Sequence, residues 1–446
     1  MTDMTAGSYR AHLWKYALPL LLGNWMQLSY NALDSIIAGR FIGREALAAE
    51  GIAGPVMNLI ILAITGLCIG SGILMSEAFG AKNYPRLGKV LANTLFLGGI
   101  ICIAVTILGI LVTPFLLRIL EVPSEIFGIT SVYLRITFLG APFTFCYNAL
   151  STVLKSVGDT KTPLKFLAFS ALLNAALDIL FLGFLGFGIA CSAITTVFAE
   201  AVSAGLAVWY LLKRNKVLVP KKGQWQIDSS VLKDILIYGT PSALQQAIQP
   251  IGKVFIQSQV NDLGLNVIAA FNAVTRMDEF ACIPEQGISS AISTYIAQNR
   301  GAQKQERIRP GFRYGMGMEI GYWMLIGTIT ALGRSAIVNI FVAGEGSAEV
   351  VRLGSEYLGY MALFYLWPAL TNGMQGFFRG MGKMYTTMAA TTIQVVLRTV
   401  CTFLLAPRLG ITGIAFSCVI GWSMMLVFEI PYYFVICRKR NLPPNR

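Results

Sequence analysis

Polar and acidic side chains recur at helical spacing within an apolar stretch near the start of the chain. Gln27, Asn31 and Asp34 are separated by four and three residues, which places them on one face of a helix. Tyr30 lies one turn before Asp34. A carboxylate in such a stretch attracts protons and small cations, so Asp34 is a candidate for cation binding.

A second acid has a similar setting. Asn174 and Asp178 lie four residues apart and share a helix face, and Thr196 follows in the next apolar stretch. Such groups also form hydrogen bonds that only hold helices together. For the two aspartates we favour a functional role, because an ionisable residue within a membrane span is costly, about 2.5–3.5 kcal/mol on insertion scales.

The second half of the chain has a different polar inventory, which includes bases. Gln249 and Lys253 share one apolar stretch, Arg276 and Glu285 the next, and Arg398 a later one. We expect Lys253 to pair with an acid of the following stretch, with Glu285 as the candidate. The pair is either a static ion pair or one that protons or substrate switch. Two further glutamates lie toward span ends, and we expect both to reach the membrane surface: Glu319 and Glu429.

Other chemistries are poorly represented. The chain has one histidine, His12, and eight cysteines, no two of which have CxxC spacing. Neither a cluster of metal-binding acids nor a nucleophile–histidine pair is present, so an intramembrane enzyme is disfavoured. We predict no catalytic residue, no metal site and no organic cofactor.

These residues must be positioned by membrane-spanning helices. Hydrophobic residues make up 55% of the 446 residues and charged residues only 13%, about half of what a soluble domain carries. A span needs about 20 apolar residues. We predict an all-α membrane protein with twelve spans, at 13–38, 52–76, 90–114, 130–151, 164–186, 188–212, 232–258, 266–296, 314–333, 355–376, 384–407 and 411–437.

Basic residues fix the predicted orientation. With both termini in the cytoplasm, the cytoplasmic tails and loops hold 25 of the 35 Lys and Arg residues, and the opposite loops hold six. Cytoplasmic loops are rich in Lys and Arg. This asymmetry accounts for most of the net charge of +13 without nucleic-acid binding. We expect a multi-pass protein of the plasma or inner membrane.

An internal repeat divides the chain. Tyr16–Pro19 recurs as Tyr238–Pro241, and five such matches occur in order at nearly the same offset along the chain. We predict an N-lobe at 1–222 with spans 1–6 and a C-lobe at 223–446 with spans 7–12. Six spans per repeat imply two six-helix bundles with pseudo-two-fold symmetry and a central cleft.

The chain resembles the MATE family of multidrug and toxin extrusion transporters over all twelve spans. The resemblance rests on Pro19 fifteen residues before Asp34, on Gly80-Ala81-Lys82, on Gly158-Asp159-Thr160-Lys161, and on Asn174-x-x-x-Asp178. It implies a kink in helix 1 at Pro19, coupling at Asp34 and Asp178, and a pocket that includes Tyr30, Asn174 and Thr196. We add Gln27 and Asn31 to the predicted pocket because they share the polar face of span 1 with Asp34. Gln249 stands where sodium-coupled members carry a helix 7 glutamate, and Pro368 near their helix 10 aspartate.

The resemblance implies a secondary transporter that exchanges organic cations for protons by alternating access. Sodium at the same carboxylates is an alternative coupling ion. A lipid- or glycan-linked flippase is an alternative function, because bases suit anionic headgroups. The candidates for the C-lobe cleft are Gln249, Lys253, Arg276, Glu285 and Arg398. The expected partners are cationic or amphipathic small molecules and the bilayer, and we expect a monomer.

Overall fold

The computed structural model describes residues 1–41, 43–341 and 347–439, apart from the side chains at 31–36, 38–40, 44–47, 59, 341, 347 and 439. Within these ranges the chain is almost entirely helical and contains no β-strand. The α-helices are α1 Tyr9–Phe41, α2 Arg44–Gly80, α3 Tyr84–Ile119, α4 Ser124–Ser156, α5 Lys161–Asp178, α6 Ile189–Arg214, α7 Ser229–Asn261, α8 Leu265–Gly301, α9 Gln305–Phe341, α10 Ser347–Phe364, α11 Leu366–Gly380, α12 Met384–Leu409 and α13 Ile411–Lys439.

The predicted all-α membrane fold is confirmed, with twelve transmembrane segments in two six-helix bundles. In the described parts of the chain, eight helical segments are long and apolar enough to cross a bilayer by length and composition alone. The other predicted spans correspond to α1, α7, α8 and the pair α10–α11. Helices α1, α7 and α8 carry polar side chains along the span, which lowers their apolarity, and the span of α10 and α11 is divided into two short helices.

One predicted span is broken into two helices. The stretch 355–376 forms the end of α10 and most of α11, which are separated at Tyr365. Pro368 explains the break, because a proline ring has no N–H for the helical hydrogen bond and collides with the carbonyl four residues earlier, here that of Phe364. Helical bonding resumes at once, since the amide of Ala369 donates to the carbonyl of Tyr365 at 3.2 Å.

A six-residue π-helix, Ile179–Phe184, continues directly from α5. Asp178 is therefore the last α-helical residue before a change of helical pitch. Short π segments inside α-helices occur frequently at functional sites.

The chain forms two compact units that do not follow the chain order strictly. Unit 1 comprises Met1–Asp3 and Gly23–Ala243, and unit 2 comprises Met4–Leu22 and Leu244–Arg446. Helices α1 and α7 each contribute their first part to one unit and their second part to the other. The predicted lobes 1–222 and 223–446 describe the sequence duplication, which is a different criterion from compactness, and they stay a prediction.

Prolines and glycines at equivalent positions of the two repeats lie where α1 and α7 pass from one unit to the other. The change follows Pro19 in α1 and Pro241 in α7, and both helices continue as single α-helices through their prolines. In unit 1 a Cβ on Gly66 of α2 would lie 2.3 Å from Cα of Ala243. In unit 2 a Cβ on Gly287 of α8 would lie 3.1 Å from Cβ of Leu20. Glycine is therefore required at Gly66, where the backbones meet.

The backbone retains the duplication in detail. Lys82 and Gln303 occupy equivalent positions of the two repeats, and both have a left-handed conformation, with φ of 55° and 60°. Gly158 and Gly382 are likewise equivalent and have φ of 81° and 75°. Left-handed non-glycine residues are uncommon. Their recurrence at the repeat offset shows that the turns after α2 and α8 are built in the same way.

Candidate functional site

In unit 1 a chain of hydrogen bonds joins α1, α5 and α6. The hydroxyl of Tyr30 donates to Oδ1 of Asn174, and the amide of Asn174 donates to Oγ1 of Thr196 at 3.4 Å. Asn174 is almost fully buried. A buried amide with partners on both sides is fixed in one orientation, so three of the predicted pocket residues form one ordered network.

Asp178 lies one helical turn beyond Asn174 and is fully buried. The hydroxyl of Thr195 donates to Oδ1 of Asp178 and also approaches the carbonyl of Ser192 at 2.8 Å. The adjacent threonines therefore have different partners, because neighbouring helical residues point about 100° apart. Thr196 contacts Asn174, whereas Thr195 contacts the carboxylate.

The remaining predicted residues of this pocket have different outcomes. The side chains of Asn31 and Asp34 lie outside the described residues, so their roles stay predictions. Gln27 is exposed and belongs to none of the hydrogen bonds described for the chain. Pro19 lies within the continuous helix α1, and the predicted kink there also stays a prediction.

In unit 2 the predicted pairing of Lys253 with Glu285 is wrong. Nζ of Lys253 lies 3.3 Å from Oε1 of Glu279, and Arg276 approaches the same carboxylate at 4.0 Å. Lys253 and Arg276 are largely exposed, and Glu279 is partly exposed. Glu279 and Glu285 are six residues apart and face different sides of α8. The exposed lysine therefore contacts the partly exposed Glu279 and not the buried Glu285.

Asp278, the residue before Glu279 on α8, is half-buried and interacts with phenol and basic side chains. The hydroxyl of Tyr357 donates to its Oδ2 at 3.0 Å, and that of Tyr365 donates to its Oδ1 at 2.6 Å. Arg398 is close enough to attract the carboxylate electrostatically, and Lys253 makes a weaker contribution. One carboxylate thus accepts two phenol hydrogen bonds and balances the guanidinium of α12.

Gln249, the other candidate on α7, is exposed and has no hydrogen bond among those described. Glu285 is buried and accepts a hydrogen bond from Nδ2 of Asn372 at 3.1 Å. The expectation that Glu319 and Glu429 reach the membrane surface is wrong, because both are fully buried. Nε2 of Gln375 donates to Glu429 at 2.5 Å, which fixes this carboxylate inside unit 2.

Comparisons with known proteins identify the family. A model of the MatE family matches residues 19–180 and 241–404, which together exceed half of the chain and follow the internal repeat. The chain belongs to the MatE family. Members of this family are transporters, so the protein is a multi-pass membrane transporter and not an enzyme.

Individual relatives cover most of its length. A probable multidrug resistance protein, YpnP, of Bacillus subtilis is 28% identical over 426 residues, which are 95% of this chain and 94% of the relative. An FAD transporter of Shewanella oneidensis is 26% identical over 299 residues, 66% of each chain. A crystal structure of a MATE protein in complex with MaL6 matches with a TM-score of 0.93 at 21% identity and 98% coverage of both chains, which shows the shared fold.

Sequence reasoning about this MatE protein missed three residues that the structure places at the candidate sites. Thr195 carries the hydroxyl beside Asp178, and Tyr357 and Tyr365 hold Asp278. A weak signal existed for the tyrosines, because their spacing of eight residues places both near one helix face. No pattern distinguished Thr195 from its neighbour.

Proposed function

We propose that the protein exports amphipathic organic cations in exchange for protons, and that Asp178, together with Asp34, couples the two fluxes. The observation that supports this most directly is the setting of Asp178. Its carboxylate is fully buried and accepts a hydrogen bond from a neutral hydroxyl. The Tyr30–Asn174–Thr196 network begins one turn away and supplies further neutral polar groups.

The proposed mechanism is competition for a carboxylate. The ionised form of Asp178 or Asp34 attracts an organic cation electrostatically, and a proton removes that attraction. Protonation from the outside then releases the cation there, and deprotonation toward the cytoplasm restores the attraction for the next one. Exchange requires only that the carboxylates are reached from one side at a time, which is the alternating access expected of two related bundles.

The driving force limits what such exchange achieves. A pH difference of one unit supplies about 1.4 kcal/mol, which supports about a tenfold gradient of a monocation when one proton is exchanged. That exchange moves no net charge. A second proton per substrate would add about 2.3 kcal/mol for each 100 mV of membrane potential.

We place the transporter in the cell membrane with both termini in the cytoplasm, because the basic residues are distributed 25 to six in favour of the cytoplasmic loops and tails. The proposed substrates are cationic or amphipathic small molecules, and the proposed working unit is a monomer. The names of multidrug relatives support this substrate class.

The test uses vesicles that contain the purified protein and a fluorescent organic cation, without sodium. An imposed pH gradient alone should drive transport of the cation, and an uncoupler should abolish it. Asp34→Asn should eliminate the response, whereas Asp262→Asn, in an exposed turn, should not. Transport that requires a sodium gradient and ignores the pH gradient would instead identify sodium as the coupling ion.

A second candidate is transport of anionic or lipid-linked substrates, and one observation favours it. Lys253 and Arg276 expose 58% and 70% of their side chains and share the single carboxylate of Glu279, which leaves one positive charge in excess. The FAD transporter among the relatives supports an anionic substrate. The same vesicles should therefore be offered a fluorescent anion. Transport of the anion but not the cation, and its loss in Lys253→Met/Arg276→Met, would favour the second function.

A further inference from the structure

Unit 2 contains a buried acid whose neighbours do not include a described base. Glu285 of α8 is almost fully buried and accepts a hydrogen bond from the amide of Asn372. The hydroxyl of Ser289, one turn further along α8, donates to the carbonyl of Asn372 at 2.6 Å. These two contacts fix the carboxylate of Glu285 against one turn of α11.

A second carboxylate approaches the same turn from α9. Glu319 is fully buried, and neither of its carboxylate oxygens has a hydrogen-bond partner in the described parts of the chain. A Cβ on Gly373, the residue after Asn372, would lie 3.6 Å from Cγ of Glu319. The carboxylates of Glu319 and Glu285 are close enough to repel each other electrostatically.

The hairpin formed by α8 and α9 brings the two acids together. Glu285 precedes the end of α8 by nearly as many residues as Glu319 follows the start of α9. Residues equally distant from the turn of an antiparallel hairpin lie side by side. The pair is therefore a consequence of the hairpin, and α11 closes it from a third side.

The described bases and acids of the surrounding helices contact other groups. On α8, Glu279 pairs with Lys253 and Arg276, and Asp278 faces Arg398. On α11, Arg379 donates to Gln245 and faces Glu429 of α13. Glu356 of α10 accepts a hydrogen bond from Thr412 of α13. The remaining charged side chains of these helices lie toward the helix ends: Arg300, Glu306, Arg307, Arg309, Arg313, Arg334, Glu349 and Arg352.

Two ionised carboxylates in such a place would be strongly unfavourable, because each is desolvated and each repels the other. A proton on one carboxyl removes one of the two charges and with it the repulsion, and this needs no group beyond those present. A metal ion needs a larger shell; calcium, for example, takes roughly six to eight oxygen ligands. No group of three or more His, Cys, Asp or Glu side chains converges in the described part of the chain. The sparse polar surroundings favour a proton.

We propose that Glu285 and Glu319 form a proton-binding site in unit 2, separate from the aspartates of unit 1, and that this site exchanges its proton during transport. Asn372 holds Glu285 in place, and Glu319 supplies the second carboxylate. The site deepens the proposed function and rests on it in one respect. If the aspartates exchange one proton for each monocation exported, the glutamate pair supplies a second proton per cycle. The export of a monocation then moves net charge across the membrane.

The first experiment measures proton binding without transport. Purified full-length protein is titrated with acid and base while infrared difference spectra follow the carboxylic acid carbonyl band. We expect one carboxyl transition that is lost in both Glu285→Gln and Glu319→Gln. Asp178→Asn should retain it, and so should Glu429→Gln, a matched control whose buried carboxylate has Gln375 as its partner. The unit 2 site is thereby tested even if the assignment of the aspartates fails.

A further variant guards against misfolding of the glutamate variants. Asn372→Val removes the amide donor but leaves both acids, and it should displace the midpoint of the same transition. Wild-type spectra that contain no transition sensitive to these three residues would overturn the proposal. Saturable binding of radioactive sodium that is lost in Glu285→Gln and Glu319→Gln would also overturn it, in favour of a sodium site.

The second experiment counts charges. In vesicles, a membrane potential should stimulate cation export by wild-type protein, and Glu285→Gln/Glu319→Gln should lose this stimulation while the response to a pH gradient persists. Equal stimulation in wild type and double variant would show that the pair does not exchange its proton during transport.

Discussion

The helix pairs α5–α6 and α12–α13 occupy equivalent places in the two repeats, yet they hold different chemistry. In unit 1, Asp178 of α5 accepts a hydrogen bond from Thr195 of α6. In unit 2, Thr402 occupies the position equivalent to Asp178, and its hydroxyl lies 2.7 Å from that of Ser417. The duplication has kept a buried polar contact between the two helices and has kept a carboxylate only in the first.

The charges of unit 2 come from other positions. Arg398 occupies the position equivalent to Asn174, so the repeat has exchanged a neutral amide for a guanidinium. Asp278, on the neighbouring helix α8, balances that charge with the help of Tyr357 and Tyr365. At these equivalent helices, unit 1 therefore has an acid that accepts a hydrogen bond from a neutral hydroxyl, and unit 2 has a base that faces an acid of α8. The first arrangement suits exchange of a proton, and the second suits a fixed structural contact.

The largest effect should follow from removing Asp178, because the equivalent position of unit 2 has no acid. Asp178→Asn should reduce transport driven by a pH gradient to the level of vesicles without protein, because the carboxylate that we propose to exchange protons is lost at unchanged volume. Thr402→Val, at the equivalent position of unit 2, should leave most of the transport. Initial rates of dye transport measure both. Similar losses in the two variants would show that the repeats do not differ in function.

The attraction between Asp278 and Arg398 in unit 2 should contribute to the stability of the folded protein. Arg398→Met leaves the half-buried carboxylate of Asp278 without the guanidinium that attracts it, and removing one partner of a fully buried pair costs about 3–5 kcal/mol. Because Asp278 and Arg398 are both only partly buried and two phenol donors remain, we expect a loss below that range, about 2 kcal/mol. Thermal unfolding in detergent measures it. The double variant Asp278→Asn/Arg398→Met should recover part of the loss, and a strictly additive double variant would contradict the pairing.

The hydroxyl beside Asp178 should have an intermediate effect. Thr195→Val removes a hydrogen bond to a carboxylate, and such bonds contribute about 1.5–3 kcal/mol. Because the bond stabilises the ionised form, its loss should also alter the pH dependence of transport. Thr196→Val serves as the control, because the described contact of this hydroxyl is with Asn174 and not with Asp178. A changed pH profile in Thr196→Val but not in Thr195→Val would reverse the two assignments.

The exposed pair of unit 2 should contribute little. Lys253→Met should change the free energy of unfolding by about 0–1 kcal/mol, because salt and water screen an exposed pair. Lys253→Met/Glu279→Gln should be nearly additive with the single variants in thermal unfolding. A large loss in Lys253→Met that Glu285→Gln rescues would restore the pairing expected from the sequence.

The sequence predicted what depends on helical periodicity and on the duplication. The twelve spans, the shared face of Asn174 and Asp178, and the chemical divergence at Arg398 and Thr402 all follow from spacing. Each is a property of one helix or of one offset along the chain. Such properties need no knowledge of how neighbouring helices are rotated against each other.

Contacts between helices could not be predicted in the same way. The sequence offers Asp278, Glu279 and Glu285 on α8 as partners for Lys253, and only the packing of α8 against α7 selects Glu279. The predicted span begins at 314 and places Glu319 near its end, whereas α9 begins at Gln305. The polar stretch before the span continues the helix, and it places Glu319 in the interior of unit 2.

The smallest effect is expected from Asp228, a partly exposed acid outside the spans, whose removal should affect folding stability but not coupling. Asp228 precedes α7 and accepts hydrogen bonds from Ser230, Lys89 and the amide of Val231, which lower its pKa to about 2. A group whose pKa is lower in the folded protein contributes stability above its unfolded value, 3.8, and loses it as the pH falls from there to about 2.

Asp228 is therefore ionised in the folded and the unfolded protein at neutral pH, and its protonation cannot shape a pH profile there. Asp228→Asn keeps a side-chain oxygen that caps the helix and loses only the ionic contact with Lys89. We expect a slight loss of thermal stability and a transport pH profile of unchanged shape, whereas Asp178→Asn should abolish the profile. A shifted profile in Asp228→Asn would mean that charge outside the spans controls coupling, and the contrast between the two repeats would then lose its functional meaning.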